Sequence, residues 1–539
     1  MIKSLNPLSW KGAKAIGVAS LIAFSGYVAG DSQSAVEGED ILQNRCMGCH
    51  IPEAQNPLQL SRISHQRKTP EGWLMTITRM QLVHGAVITD DERQSLVKYL
   101  ADTQGLTPEE SAPYRYVLER RLNHVEDTGS ELKEMCARCH SEARVGLQRR
   151  EQGEWEKLVH FHLGQWPSIE FSAMGRDRDW FGIALNETVP YLSEQFGLDK
   201  KVWDDWQAAE KSSLAGSWRL AGHRPGKGAF NGSMTAEETA RDKYTLTLTG
   251  EYANGEKVSG KGEAILYSGY EWRANLNIGE ESYKQVLAMN KSGKELNGRM
   301  FLRNQEPLGI DLQAVRADES RVLSVSPTYI ESGKTVDLTI QGVNLTGNVD
   351  LGEHIKVLKT TGQTKDTIQL KVRADKVSRA EPVTVKVGEQ KLEDTLTLYR
   401  SVDHVEVTPA YAVARVGGAG GSQEKVKAVF EARAYDVGDD GVAGTDDDVF
   451  IGIMPAQWEL QAFDEIAIRD RDLEFAGEID RETGVFTPGD AGPNPDRKYG
   501  TNNAGRLKVV ANLNTKSKSL SAEAELLVTV QRWNNPPIR

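Results

Sequence analysis

The sequence predicts a multidomain α + β chain in which an all-α N-terminal region precedes three all-β domains of barrel or immunoglobulin-like sandwich type. Its 539 residues exceed what one core organises, since domains run to ~100–200 residues. Capped segments with helical periodicity are confined to about Asp40–Asp199, and beyond about Leu214 they give way to polar–apolar alternation and glycine-punctuated turns. The divisions are 1–35 as an export signal, 36–105 and 106–205 as two small helical units, 212–317 as a barrel-like domain, 320–402 as an immunoglobulin-like domain, and 403–539 as a second one.

The N-terminus has the form of a secretory signal: Lys3, Lys11 and Lys14 precede an apolar, small-residue run from Ala15 to about Gly30. That run is shorter than the ~20 apolar residues a spanning helix needs, so the expectation is export to the periplasm with cleavage and no membrane span afterwards. Small residues suit cleavage at Val28-x-Gly30 and at Ser32-x-Ser34. With 39% hydrophobic and 26% charged residues the chain is an ordinary globular protein. A formal charge of −12 argues against nucleic acid or anionic lipid as partner, because both require basic patches.

In the helical region Thr89 and Glu92 form a capping box for a helix over Asp90–Ala101 that Gly105 terminates. Thr107-Pro108-Glu109-Glu110 repeats the device with a cap, a proline in the first helical position and acids in the first turn. Thr103–Pro113 is therefore the joint between two helical units.

Each unit contains one pentapeptide of the same form, Cys46-Met47-Gly48-Cys49-His50 and Cys136-Ala137-Arg138-Cys139-His140, and together they use all four cysteines. C-x-x-C-H is the attachment signature of c-type haem, in which the thiols bond the porphyrin and the adjacent imidazole takes one axial position on iron. A thioredoxin-type pair or a single four-thiolate zinc site would leave both histidines unexplained. The N-terminal region thus reads as an all-α diheme cytochrome c domain. Two haem c groups are held by Cys46 and Cys49 and by Cys136 and Cys139, with His50 and His140 as proximal iron ligands.

The distal ligands follow from an internal duplication. Glu71-Gly72-Trp73 opens a segment reaching His84, and Gly153-Glu154-Trp155 opens one reaching His162; Val97-Lys98-Tyr99-Leu100 is echoed by Val189-Pro190-Tyr191-Leu192. From haem histidine to that tyrosine the intervals are 49 and 51 residues. Trp73, Ile77, Met80 and His84 share one helical face, as do Trp155, Val159 and His162, so His162 occupies the place of Met80. The expected ligand sets are His50/Met80 and His140/His162. His84 competes for the first iron and His160 or His124 for the second, and His65 is expected at the surface or against a propionate. A methionine ligand raises haem potential, so electrons should enter at the second haem and leave from the first.

In the β region, Lys243–Thr249 alternates polar and apolar residues and Asn254-Gly255 supplies a hairpin turn, consistent with an up-and-down barrel or a sandwich over Gly216–Val315. Ser332–Leu345 resembles the opening strands of bacterial immunoglobulin-like domains. The last unit starts near Val405-Glu406-Val407-Thr408-Pro409 and ends on a strand over Ala522–Val530. The acidic stretch Asp436–Asp448 lacks the third-position acid and terminal glutamate of an EF-hand and is taken as a solvated hairpin tip. No catalytic constellation gathers in these domains, whose expected role is scaffolding and subunit docking.

An exported chain with Cys46–His50, the Trp73-to-Met80 segment, Cys136–His140 and then three β domains resembles the α subunit of quinohemoprotein amine dehydrogenase over essentially its whole mature length. The resemblance implies a periplasmic heterotrimer with a β-propeller subunit and a small subunit bearing a tryptophylquinone. It also implies oxidation of primary amines to aldehyde and ammonia, with electrons passing through the haems to a copper protein or cytochrome c. Nothing in this chain supplies the quinone, so its expected part is electron transfer only. A diheme peroxidase, or the cytochrome subunit of another periplasmic dehydrogenase, is the alternative.

Overall fold

The computed structural model describes residues 33–531 except 128, 168, 170–177 and 517; the expected export signal lies outside the described residues. In the first helical unit α1 (Gln33–Cys46), α2 (Pro70–His84) and α3 (Asp90–Thr103) enclose a core of Trp73, Ile77, Leu96 and Leu100, with Cys46 at its edge. In the second, the helix Gln152–Gln165 and the helix Val189–Gln195 enclose Trp155, Val159, Val189 and Leu192, with Cys136 at the edge. The cysteines are thus divided between two cores. Both expected capping boxes form, at Thr89/Glu92 and Thr107/Glu110. The helix after Thr89 runs on to Thr103, and α4 (Pro108–Ser111) is a single turn.

One element departs from the all-helical reading. β1 (Gln66–Lys68) pairs antiparallel with β2 (Gln148–Arg150), setting Arg67 opposite Arg149. The register is symmetric about that pair, so the ribbon relates the two units as a local two-fold. Strand alternation then separates two faces. On one, Arg67 and Arg149 share Glu110: Arg67 Nη1 and Nη2 donate to its two oxygens at 2.8 Å, and Arg149 Nε lies 3.2 Å from Oε1. That largely buried carboxylate, with 13% of its side chain exposed, offsets the like-charge contact. Lys68 and Arg150 occupy the other face.

Residues 216–316 resolve the barrel-or-sandwich alternative: β3 (Gly216–Arg224), β4 (Gly228–Ala240), β5 (Lys243–Tyr252), β6 (Lys257–Tyr267), β7 (Glu271–Ile278), β8 (Glu281–Met289), β9 (Glu295–Leu302) and β10 (Gln305–Arg316) close an antiparallel barrel. In β5 the alternation sends Tyr244, Leu246 and Leu248 inward and Lys243, Thr245 and Thr247 outward. Gly255, at φ 85°, makes the turn between β5 and β6. Trp218, Phe230, Tyr270 and Trp272 fill the interior, which is a packed core, as small barrels usually have. The barrel docks on the helical units through polar contacts: Tyr270 Oη lies 2.7 Å from Ser111 Oγ, and Trp206 Nε1 donates to Ser268 O at 2.9 Å.

The next domain is a sandwich of two four-stranded sheets around Leu338, Ile340, Leu370, Val385 and Leu396. The C-terminal domain has a four-stranded sheet and two three-stranded sheets around Phe430, Phe486, Leu507 and Leu526. It also carries two short helices, Glu465–Arg469 and Asp472–Phe475, that no periodicity foretold. Between Asp436 and Val449 the acidic loop uses carboxylates on itself: Asp447 Oδ2 accepts from the amides of Asp439 and Asp440 at 2.6 and 3.2 Å, and Asp436 Oδ1 from Gly438 at 3.1 Å. Among the described residues no helix is long and apolar enough to cross a membrane.

Candidate functional site

Each C-x-x-C-H pentapeptide folds as a turn closing a helix. Cys49 N and His50 N donate to Cys46 O at 3.0 and 2.9 Å, and Cys139 N lies 3.5 Å from Cys136 O. In both turns the first cysteine is half-buried and the second exposed. Burial pushes the Cys46 thiol up to about 11 and the Cys136 thiol up to about 12, opposite to the depressed value of a reactive thiolate pair.

Three imidazoles are oriented in the same way. His50 Nδ1 donates to Ser61 O at 2.8 Å, His140 Nδ1 to Ser141 O at 3.0 Å, and His162 Nδ1 to Leu158 O at 2.8 Å. Tying Nδ1–H to a carbonyl fixes the tautomer that leaves the Nε2 lone pair for a metal. Burial holds His140 and His162 below their ordinary value, and the His140 charge lowers His162 further. Both rings are therefore neutral donors at physiological pH.

Met80 is half-buried on α2, and His84, one turn on, is exposed. The helix stops there because Gly85 takes a left-handed conformation at φ 71°, and its amide and that of Ala86 both turn back to Met80 O. A side chain at Gly85 meets open space but an unfavourable φ. Gly85→Ala is accordingly expected to cost about 1–2 kcal/mol, measurable by denaturant titration, and a stability equal to that of the unmodified chain would show that this turn does not hold the helix end.

The alternatives have other surroundings. His160 is exposed and meets Phe181 edge-on at 5.2 Å, and His124 stacks on Tyr116 with ring centroids 3.8 Å apart. His65, expected at the surface or on a propionate, bridges the units: Nδ1 lies 2.8 Å from Glu151 and Nε2 3.0 Å from Glu53. Partial burial opposes its protonation, but those two acids outweigh it and raise its pKa.

The residues present fit haem. Large apolar side chains stand exposed in both units, Ile51 directly after the first turn with Leu82 (73% exposed) and Val87, and Leu122, Val125 (87%) and Trp166 in the second, surface that an apolar macrocycle would cover. Trp155 Nε1 is buried without an acceptor. Models of the quinohemoprotein amine dehydrogenase alpha subunit match nearly the entire described chain, the haem-binding domain over residues 36–203 and domains II, III and IV over 211–317, 319–400 and 405–538. The chain belongs to this family. It is thus an alpha subunit of an amine dehydrogenase, an oxidoreductase, and its first domain binds haem.

No curated protein matches the alpha subunit. Among solved structures, a de novo designed fluorescence-activating β-barrel shares 16% identity over 19% of this chain and 93% of its own, at a TM-score of 0.17. Cadherin-like domains 1 to 4 of zebrafish RET share 11% over 46% and 63%, at 0.19. Similarity this low says nothing about activity.

The sequence reading missed the cations of the β1–β2 ribbon. Gln66-Arg67-Lys68 recurs as Gln148-Arg149-Arg150, each seven residues ahead of its tryptophan. Extending the duplication toward the N-terminus would have found them.

Proposed function

We propose that this chain is the diheme electron-transfer subunit of a periplasmic quinohemoprotein amine dehydrogenase. It accepts electrons from a tryptophylquinone on a small partner subunit during oxidative deamination of primary amines to aldehyde and ammonia. It passes them to an external copper protein or cytochrome c, and a β-propeller subunit completes the heterotrimer. What supports the reading is that each helical core holds one C-x-x-C-H turn at its edge and one helix on which Met80 or His162 follows a buried tryptophan by seven residues.

Bound there, the haem would supply one-electron chemistry. The chain's own residues do the rest: Cys46, Cys49, Cys136 and Cys139 anchor, while His50 and His140 hold Nε2 toward the metal because Ser61 and Ser141 carbonyls hold Nδ1. Met80 and His162 would supply the second protein donor to each haem. Such haems would serve electron transfer, and substrate chemistry would belong to the quinone-bearing partner.

The test compares the haem-loaded chain alone with the complex that co-purifies from periplasmic extract. A simple primary amine should reduce the haems in the complex and leave those of the isolated chain oxidised. Amine-dependent reduction of the isolated chain would refute the division of labour.

A further inference from the structure

We propose that Lys68 and Arg150, on one face of the β1–β2 ribbon, receive the propionate carboxylates of the two haems, one on each side of the local two-fold. This rests on the two-haem reading above.

Both side chains are buried cations without an anion. Lys68 is 5% exposed and Arg150 6%, and neither makes an ion pair among the described residues. The Lys68 ammonium donates to Thr76 Oγ1 at 2.7 Å and stands 5.1 Å from the Trp73 ring centroid. Among the described residues the Arg150 guanidinium donates only from Nε, to Gln148 Oε1 at 2.8 Å, and lies 5.6 Å from the Trp155 centroid. A buried charge is costly unless paired and hydrogen-bonded.

Arg62 and Arg79 add like charge to both, and Arg150 adds to that on Lys68. Glu154 favours the charged form of both, but its oxygens pair directly with Arg62 at 3.2 Å and Lys157 at 2.7 Å. Burial and these cations push the Lys68 ammonium well below its ordinary range. This concentration of positive charge occurs in a chain of net charge −12, which marks it as a local requirement.

A second observation identifies the anion's position. Trp73 Nε1 donates to Gln104 O at 2.9 Å, whereas its counterpart Trp155 Nε1 is buried with no acceptor. Native proteins rarely leave such a donor unpaired. Beside Arg150 it makes a two-donor cradle of the kind that carboxylates take with charge-assisted hydrogen bonds.

The spacing ties the cradle to the haem sites. From cation to tryptophan is five residues in both units, and from tryptophan to distal ligand seven. At ~1.5 Å rise per residue, the tryptophan lies about 10 Å along the helix from the ligand, comparable with the reach of a porphyrin from its metal to its carboxylates.

A cation beside a propionate favours the ferrous state, which carries one positive charge fewer than the ferric, so removing it lowers the midpoint potential. In the haem-loaded full chain, Lys68→Met should lower the first haem and Arg150→Gln the second. Each should shift the ferric/ferrous ratio about tenfold at fixed electrode potential, or ~59 mV for one electron. Arg150→Lys, which keeps the charge, should restore most of the shift. Arg67→Gln, on the opposite face, should lower stability and leave both potentials in place, a result that a merely structural role for Lys68 would share.

If one variant fails to accumulate, the other decides. Unmoved or raised potentials overturn the cradle, as does a shift of similar size on exchanging chloride for phosphate in the unmodified chain, which would mark a site for a free inorganic anion. Haem content measured on the same samples separates the two readings. Fewer than two haems per chain would defeat the diheme reading, whereas two haems with unmoved potentials would defeat the cradle alone.

Discussion

Met80→His is expected to lower the midpoint potential of the first haem by on the order of 0.1–0.3 V, within the ~0.8 V over which axial ligation moves haem iron. Thioether sulfur stabilises the ferrous state and imidazole the ferric, so the substitution should remove the difference expected to make the first haem the outlet. Each 100 mV is about 2.3 kcal/mol per electron, or roughly fifty-fold in the equilibrium between the haems. Spectroelectrochemistry should show the two transitions merging or crossing, with loss of the weak long-wavelength band of methionine-ligated ferric haem. The converse substitution, His162→Met, should raise the second haem. If the unmodified chain lacks that band and Met80→His leaves the potential unchanged, the ligand is elsewhere, and His84 is the first place to look.

This expectation was legible in the sequence because it depends on helical spacing. The intervals Trp73–Ile77–Met80 and Trp155–Val159–His162 are fixed by the period of the helix, and in both helices the tryptophan and the branched aliphatic residue are buried. The capping boxes were legible for the same reason, since a cap and its partner lie three residues apart.

The β1–β2 ribbon was not, because three residues per strand are too few for alternation to register and the partner strand lies in the other unit. The closure of the barrel depends on β3 meeting β10, a contact between the ends of the domain that no local window contains. His65 illustrates the same limit, as its partners Glu53 and Glu151 lie 12 and 86 residues away. Trp155 and Trp73 looked equivalent by spacing, and only the carbonyl of Gln104, which one has and the other lacks, separates them.

Arg273→Met is expected to be the most destabilising substitution at the junction of the helical units and the barrel. Arg273, on β7, donates from Nη2 to Glu271 at 2.5 Å and from Nε to Glu71, in the first turn of α2, at 2.6 Å. Glu271 is buried, with 2% of its side chain exposed, whereas 38% of the Glu71 side chain is exposed. Losing the Glu71 pair therefore adds at most ~1 kcal/mol, and the main cost comes from Glu271, left buried without its cation at about 3–5 kcal/mol.

Burial already pushes the Glu271 carboxyl up to about 7 against the pull of Arg273, and its second oxygen has no partner. A folded-state value above the ordinary 4.5 means that the proton is held more tightly in the folded chain. The group's contribution is thus fully present below about pH 4.5 and lost as pH rises through about 7. Without Arg273 the folded value climbs further, and the loss continues to higher pH. The unfolding midpoint of Arg273→Met should therefore lie near that of the unmodified chain at pH 5, where Glu271 is protonated in both, and well below it at pH 8. A deficit of equal size at both values would mean that lost packing of the arginine stem, and not the stranded carboxylate, governs how the barrel holds the helix that carries Met80.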